Sequence, residues 1–484
     1  MIWNFKKMYD IFSGKYQKLL LDGKWGVERE LQRVTDKGDL ALTPHPVVFG
    51  DKLRNKEITT DFSESQLELI TPPFSTVEEV DHYLQYLHKK AAEGIKNEYL
   101  WPLSMPPRLP EDDYIPIAQF DNSEEGKMAY TYRQGLANRY GKKMQMISGI
   151  HFNLSFGNNL LEVLHRELDV NSKVQEFTDE LYFAFARNFL RYHWLLIYLF
   201  GASPSYEDTY GAILKEQVEN IRKCCPECCT QHEKYATSLR VSRFGYTNPE
   251  ESSYSVFYNS KEEYIRGIRT LMSKKSMMYA KIAVQLNDKI LQKDSEFYSP
   301  IRMKQIIKAG ESQIDALEKR GVKYAEIRIL DVNPFEMTGI SLQQMHFLQV
   351  FSLFCMFNDN ILLDNKEMDR INKNHHLIAL SGRRPDLMLN RLNGGKISLF
   401  EWGTSIFDKL LLIANLLDQE DNSKVYSICV QTEYQKLKNH SLLPSAMLQD
   451  EMDHKQESFL EFGIRKSKEY KQTMLGRNSN DQRL

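Results

Sequence analysis

The sequence lacks a strong charge of either sign. Its 484 residues include 63 lysines and arginines against 65 aspartates and glutamates, which gives a formal net charge of -2. Proteins that bind nucleic acids or anionic membranes use clustered basic residues to displace the counterions of those partners. A near-neutral chain without a basic stripe argues against both as main partners.

Long apolar runs are also missing. The most apolar stretches, residues 194–200 and 350–357, are much shorter than the roughly 18 consecutive apolar residues that would cross a bilayer. The first residues lack the apolar segment and the small-residue cleavage site of a secretory signal. We therefore expect a soluble protein that is not exported.

Cysteine is scarce, with six residues in the whole chain, too few for a disulfide scaffold. A reducing cytoplasm is the expected compartment. Four cysteines crowd into residues 224–229, where Cys225 and Cys228 form a CxxC pair. A structural zinc site needs a second pair or two histidines, and only His232 lies close downstream. A zinc knuckle and a redox switch remain open, but the pattern favours an incidental surface loop.

The chain has no internal repeat and no Gly/Ser-rich or Pro-rich linker that would mark a domain boundary. We predict one domain over residues 1–466. Residues 467–484 are strongly polar and bury too little apolar surface to offset their ordering entropy, so we predict a frayed, flexible tail there.

Apolar residues recur at three- and four-residue intervals in several segments, which predicts amphipathic helices that cover a core. These segments are residues 76–94, 174–200, 260–273, 341–357 and 406–417.

Four other segments alternate with a period of two residues, which predicts strands. They are residues 25–34, 58–73, 148–156 and 322–335. In the second segment Asp61, Glu64 and Glu68 would also align on one side of a helix, but the alternation around residues 67–71 favours a strand that stops at the prolines. The fold class expected from this mixture is α+β. Such alternation is normal in an antiparallel sheet that wets one face, so by itself it says nothing about function. The polar positions, however, hold carboxylates and a histidine, and hard cations such as Mg²⁺ prefer oxygen ligands. A solvated face and a metal-lined face both remain open at this point.

Ten blocks of sequence, taken in order, resemble the motifs of the bacterial glutamate-cysteine ligase family, also called γ-glutamylcysteine synthetases. The blocks are GVERE at 26–30, TTDF at 59–62, LE at 67–68, LWPLSMP at 100–106, YRQGL at 132–136, ISGIHFN at 147–153, YLFGASP at 198–204, ATSLR at 236–240, GYTN at 245–248, and EIR at 326–328 with DVNPF at 331–335. The chain is also similar to the ligase half of bifunctional glutathione synthases, and it ends where their ATP-grasp domain would begin. The resemblance covers residues 25–335 and thins into a helical part at 336–466.

The resemblance implies a glutamine-synthetase-like fold, in which a curved, mainly antiparallel sheet forms a funnel with helices packed outside. It also implies a single catalytic domain. The implied activity is the first step of glutathione synthesis: ATP phosphorylates the γ-carboxylate of glutamate, and the amine of cysteine attacks the acyl phosphate. The alternatives are a γ-glutamyl ligase with another amine acceptor and a non-catalytic binding homologue.

The resemblance also implies roles for individual residues. The implied ligands of Mg²⁺, or alternatively Mn²⁺, are Glu28, Glu30, Asp61, Glu68, His151 and Glu326. Arg328 would contact the transferred phosphoryl group, with Arg133 adding positive charge, and Arg240 would hold the substrate glutamate. The implied cysteine subsite comprises Phe62, Tyr132, Tyr246 and Tyr298. The expected partners are therefore the small molecules glutamate, cysteine and the co-substrate ATP.

Overall fold

The computed structural model describes residues 3–210, 221–223, 230–245, 254–421 and 424–476. The helices are α1 Phe5–Phe12, α2 Val77–Gly94, α3 Glu124–Tyr140, α4 Asn158–Glu167, α5 Val174–Tyr192, α6 Trp194–Phe200, α7 Lys261–Ser273, α8 Gln313–Arg320, α9 Leu342–Phe357, α10 Asn365–Ser381, α11 Leu399–Asp421, α12 Val425–Lys438, α13 Pro444–Lys455 and α14 Phe459–Gly476. The strands are β1 Gly23–Val34, β2 Ile58–Thr59, β3 Gln66–Ile70, β4 Tyr99–Leu100, β5 Gly149–Phe156, β6 Ser205–Glu207, β7 Ile221–Lys223, β8 Thr230–Glu233, β9 Ile301–Lys304, β10 Tyr324–Asp331, β11 Met388–Asn390 and β12 Lys396–Ser398.

A seven-stranded sheet forms the centre of the fold. Its strands run in the order β2-β3-β1-β5-β10-β9, with β4 paired to β1, and every pairing is antiparallel. The two end strands differ and do not pair with each other, so the sheet is open. The α+β class with a mainly antiparallel sheet is therefore confirmed.

One face of this sheet is apolar and packs against helices. Val27, Phe152 and Ile327 are buried in one large core that also contains Phe189 and Phe351 of helices α5 and α9. Burial of such side chains is the main favourable contribution to folding. The opposite face carries the polar positions of the same strands, because successive side chains of a strand point to opposite sides.

Helix α9 departs from the expected amphipathic pattern. Every side chain from Gln344 to Phe357 is buried, and all of α6 is buried as well. Helices that are apolar on all sides belong inside a large core rather than on its surface. Helix α2 does fit the prediction: it begins with a capping box between Thr76 and Glu79 and buries one side.

The strand predicted at the proline end of residues 58–73 is confirmed as β3 Gln66–Ile70, and a turn separates it from the short strand β2 Ile58–Thr59. The Thr60 hydroxyl donates to the carbonyls of Ser63 and Gln66, at 2.6 and 2.7 Å, and so closes residues 60–66 on themselves. Asp61 lies at the exposed tip of this turn.

The predicted flexible tail is wrong for residues 467–476, which continue helix α14. The buried Ser467 donates to the carbonyl of Leu100 at 2.9 Å, and the Tyr470 hydroxyl donates to that of Pro334 at 2.6 Å. These hydrogen bonds to distant segments stabilise the end of the helix, although its own residues are mostly polar. Residues 477–484 lie outside the described ranges. In the described parts of the chain, no helix combines the length and apolarity needed to span a bilayer.

Candidate active site

The polar face of the sheet gathers five of the six proposed metal ligands. Strand pairing sets Glu28 opposite His151 and Glu30 opposite Glu68. His151 Nδ1 lies 3.1 Å from Glu28 Oε2 and 3.6 Å from Glu326 Oε1, and its Nε2 lies 3.6 Å from Glu30 Oε1. Ligating atoms of Glu28, His151 and Glu326 all lie within 4.8 Å of one another.

The sixth residue, Asp61, projects from the turn between β2 and β3. Its charge acts on Glu68 and Glu30 and contributes to raising the pKa of both carboxyls. Its backbone carbonyl accepts a hydrogen bond from Arg133 Nε of helix α3. Asp61 and Arg133 therefore lie at the edge of the acidic cluster, beside Glu68.

Negative charge is in excess at one end of this cluster. Burial raises the pKa of Glu68 well above its ordinary value, and the neighbouring charges of Glu28, Asp61 and Glu30 raise it further. Burial also raises the pKa of Glu30, although His151 acts in the opposite direction. Carboxylates forced together in this way are tolerated best when a cation lies among them.

The other end is balanced by cations of the protein. Burial acts to raise the pKa of Glu326, but Arg328 and Lys304 outweigh it and hold the pKa well below its usual range. Arg328 Nη1 lies 2.9 Å from Glu326 Oε1, and Lys304 Nζ lies 3.1 Å from Oε2. Lys304 was not predicted from the sequence, because its four-residue strand β9 shows no distinct pattern.

The donor set fits a hard divalent cation. It consists of carboxylates and one histidine, together with Asn153, whose Nδ2 donates to Glu28 Oε1 at 2.9 Å. Asn153 Oδ1 is buried and has no hydrogen-bond partner among the described residues. Buried acceptors are normally satisfied, so an unpaired oxygen beside clustered carboxylates is consistent with a bound cation or its water.

Arg240 lies beside this cluster with part of its guanidinium unused. Its Nη2 donates to the carbonyl of Arg328 at 2.9 Å, while the buried Nη1 has no hydrogen-bond partner among the described residues. The guanidinium lies over Gly149, where any Cβ would overlap it, so a side chain at this position of the ISGIHFN block would displace Arg240. Helix α10 holds the segment that carries Arg240, since the Thr237 and Ser238 amides both donate to the carbonyl of Ala379.

The residues of the implied cysteine subsite are only partly described. Phe62 is buried and Tyr132 half-buried within a second apolar cluster. Lys293 Nζ lies 3.8 Å from the centre of the Tyr132 ring. Burial raises the pKa of Tyr298, while the nearby charges of Arg240 and Arg328 act to lower it. Tyr246 lies outside the described residues, as do the cysteines at 224–229.

Comparison with known proteins gives a consistent result. A family model described as glutamate-cysteine ligase matches residues 9–378. A protein of Clostridium acetobutylicum named glutamate–cysteine ligase is 51% identical over 476 residues, which cover 96% of this chain and 99% of the relative. A protein of the same name from Pseudomonas putida is 40% identical over 93% of this chain and 86% of its own length.

Two solved structures resemble this fold over most of its length. The crystal structure of a glutamate–cysteine ligase from Francisella tularensis in complex with AMP has a TM-score of 0.86 and 33% identity, covering 94% of this chain and 89% of that one. A bifunctional glutathione synthetase from Pasteurella multocida has a TM-score of 0.77 and 29% identity, and the match covers 97% of this chain but 55% of that protein. Since the family model spans more than half of the chain and the two relatives are similar over nearly all of it, this protein belongs to the glutamate-cysteine ligase family.

Proposed function

We propose that the acidic face of the sheet joins the γ-carboxyl group of glutamate to the amine of cysteine at the expense of ATP. The γ-carboxylate oxygen takes the terminal phosphoryl group and releases ADP. The cysteine amine then forms the amide bond, losing a proton, and phosphate leaves to give γ-glutamylcysteine. The observation that carries this proposal is that the Arg240 guanidinium donates a hydrogen bond to the backbone carbonyl of Arg328, beside the clustered carboxylates.

The proposed metal ligands are the acidic cluster described above, with Mg²⁺ preferred and Mn²⁺ as an alternative. When bound, the cations would neutralise and align the phosphate oxygens, which is most of what phosphoryl transfer requires. The protein's own contribution is to hold the ligands in place through the strand register, which sets Glu28 against His151 and Glu30 against Glu68.

Arg328 is proposed to contact the transferred phosphoryl group. Glu326 orients its guanidinium through Nη1, while its Nε is buried and has no hydrogen-bond partner among the described residues. A guanidinium with an unused donor suits a phosphate, because it offers several N–H groups in one plane. Arg133, whose Nε donates to the Asp61 carbonyl, is proposed to add further positive charge beside Glu68.

Arg240 is proposed to bind the α-carboxylate of glutamate. Its Nη1 is buried without a hydrogen-bond partner, a costly arrangement that a substrate carboxylate would relieve. The bond from Nη2 to the Arg328 carbonyl places this anchor next to the phosphoryl site. Glutamate would thus extend from Arg240 with its γ-carboxylate toward Arg328.

The acceptor is proposed to bind among Phe62, Tyr132, Tyr246 and Tyr298. Aromatic rings can enclose a small thiol side chain, while the tyrosine hydroxyls can donate to the acceptor carboxylate. A hydrophobic pocket separates substrates that differ by one methylene by only about 1–3 kcal/mol. It excludes an unpaired charge far more strongly. We therefore propose that cysteine is the preferred acceptor and that 2-aminobutyrate and alanine react more slowly.

We also propose that the chain acts as one catalytic unit with a glutamine-synthetase-like funnel, located in the cytoplasm. The support for a single unit is that helix α10, from the helical C-terminal part, anchors the segment that carries Arg240. Within this part, the described residues also form one small hairpin, β11–β12.

The test is ADP release in the presence of ATP, Mg²⁺ and glutamate, with the acceptor varied. We expect the fastest release with cysteine and little with lysine, a polyamine or ammonia. Preference for one of these three amines would instead favour a γ-glutamyl ligase of different acceptor class. Absence of ADP release with every acceptor, combined with no calorimetric binding of ATP and Mg²⁺, would favour a non-catalytic homologue.

A further inference from the structure

Asp331 is a buried carboxylate at the end of β10 that none of the proposed catalytic steps uses. Its Oδ2 accepts hydrogen bonds from the Ala202 amide at 2.8 Å and from the Ser203 hydroxyl at 2.7 Å. Its Oδ1 accepts one from the Ser238 hydroxyl at 2.9 Å and lies 3.7 Å from Arg240 Nη1. The carboxylate therefore joins three segments: the turn after α6, strand β10 and the segment that carries Arg240.

The distance between Asp331 and Arg240 is informative. At 3.7 Å the two charges attract strongly in a buried environment, but the separation is too long for a hydrogen bond. The carboxylate thus holds the guanidinium without occupying its Nη1 donor. Hydrogen bonds from two serines and a backbone amide keep the carboxylate from moving closer, because they fix both of its oxygens.

Packing against Gly149 also constrains the guanidinium. Asp331 pairs with Gly149 in the sheet register, and the Arg240 side chain lies over that glycine. The Gly149 amide in turn donates to Glu30 Oε2 at 2.8 Å. Arg240 is therefore held by packing against Gly149, by the Arg328 carbonyl at Nη2 and by the Asp331 charge near Nη1.

We propose that Asp331 is a positioning residue for glutamate, which holds Arg240 so that its Nη1 is presented to the substrate carboxylate. This inference rests on the proposed role of Arg240. It goes further in assigning substrate affinity to a residue that itself touches no substrate. The serines at 203 and 238 act through Asp331 by orienting its oxygens.

The test is the variant Asp331→Asn, with the Michaelis constants for glutamate, ATP and cysteine measured separately. The amide has nearly the same size but places an NH₂ group against either the Ala202 amide or Arg240, and it removes the charge that holds the guanidinium. We expect the KM for glutamate to rise by about tenfold or more, as for loss of a charged interaction. We expect kcat at saturating glutamate and the KM for ATP to change by less than about threefold.

Asp179→Asn is the matched control. Asp179 is also buried, accepts a backbone hydrogen bond from Val322 at 2.7 Å and pairs with Lys261 at 2.6 Å, but none of its described contacts reaches a site residue. It should lower the melting temperature and leave all three KM values unchanged. If Asp331→Asn fails to fold, Ser238→Ala replaces it, with an expected rise in the glutamate KM of about threefold for loss of one hydrogen bond to Oδ1.

Arg240→Lys separates this inference from the function on which it rests. A higher glutamate KM in both the Arg240 and the Asp331 variants supports the inference. A higher KM in Arg240→Lys, with a normal glutamate KM in Asp331→Asn or in its replacement, overturns the positioning role and leaves the proposed function intact. A normal KM in Arg240→Lys overturns the glutamate assignment of Arg240, and the inference with it.

Discussion

Glu68 carries a charge that the folded protein accommodates poorly without a bound cation. It faces Glu30 across the β1–β3 pair, and the charges of Glu28 and Asp61 also act on it. Burial and these neighbours raise its pKa well above the ordinary value. Replacing Glu68 by glutamine should therefore stabilise the metal-free protein while it removes activity, since the same charge is proposed to bind Mg²⁺.

The size of the effect follows from the cluster. A like-charge pair directly opposite on neighbouring strands costs up to about 1 kcal/mol, and Glu68 has one such partner in Glu30. Because Glu28 and Asp61 also repel Glu68, we expect a total gain of about 1–2 kcal/mol. An unfolding entropy of about 2.1 cal/mol/K per residue gives roughly 1 kcal/mol/K for 484 residues. The melting temperature should rise by about 1–2 °C in EDTA.

Added Mg²⁺ should reverse the order of the two melting temperatures, so that the wild-type protein melts above Glu68→Gln. A ligand at 100 times its dissociation constant stabilises the folded state by about 2.7 kcal/mol, which corresponds to roughly 3 °C in the wild-type protein. Glu68→Gln should gain less, because a metal ligand is lost. Melting curves with EDTA and with MgCl₂, together with ADP release, measure all three effects.

Glu64→Gln is a suitable control for this experiment. Glu64 is a buried carboxylate four residues away that pairs with Lys52 and accepts the amides of His45 and Gln119. Its loss should destabilise the protein equally with and without Mg²⁺. The reasoning is refuted if Glu68→Gln melts below the wild-type protein in EDTA, or if it keeps normal activity.

The remaining predictions concern Glu326, Arg328 and His193. Glu326→Gln should abolish activity and, unlike Glu68→Gln, lower the melting temperature in EDTA, because Lys304 and Arg328 lose the carboxylate that they share. An unchanged melting temperature would contradict the ion-pair assignment. Arg328→Lys should lower kcat more than it raises the glutamate KM, since lysine keeps the charge but loses the planar donor array; equal turnover would exclude the phosphoryl role. Burial lowers the pKa of His193 to about 4, so below about pH 6.5 the unfolded state binds more protons than the folded state. The free energy of unfolding, measured with urea, should therefore fall by about 2 kcal/mol between pH 8 and pH 5. His193→Gln should flatten this slope, and an unchanged slope would assign the acid sensitivity to other groups, including the contacting His375.

Local pattern alone determined which residues share a face. The two-residue alternation in β1, β5 and β10 placed Glu28, His151 and Glu326 on the face opposite their apolar neighbours, because successive side chains of a strand point to opposite faces. Helical periodicity located α2 and α7 to within one residue at each end for the same geometric reason. The resemblance of the ordered motifs then supplied the family and the reaction.

Only the tertiary structure decided which of these faces meet and what surrounds them. The pairing of β1 with both β3 and β5 is long-range, so the charge excess at Glu68 could not be computed from local sequence. Helix α14 continues through polar residues because Ser467 and Tyr470 bond to distant carbonyls. From the sequence, Asp331 is only the end of a predicted strand. Its position beside Arg240 depends on hydrogen bonds from Ala202 and Ser238, which lie about 130 and 90 residues away in the chain. Its role is therefore set by contacts that form only when the chain folds.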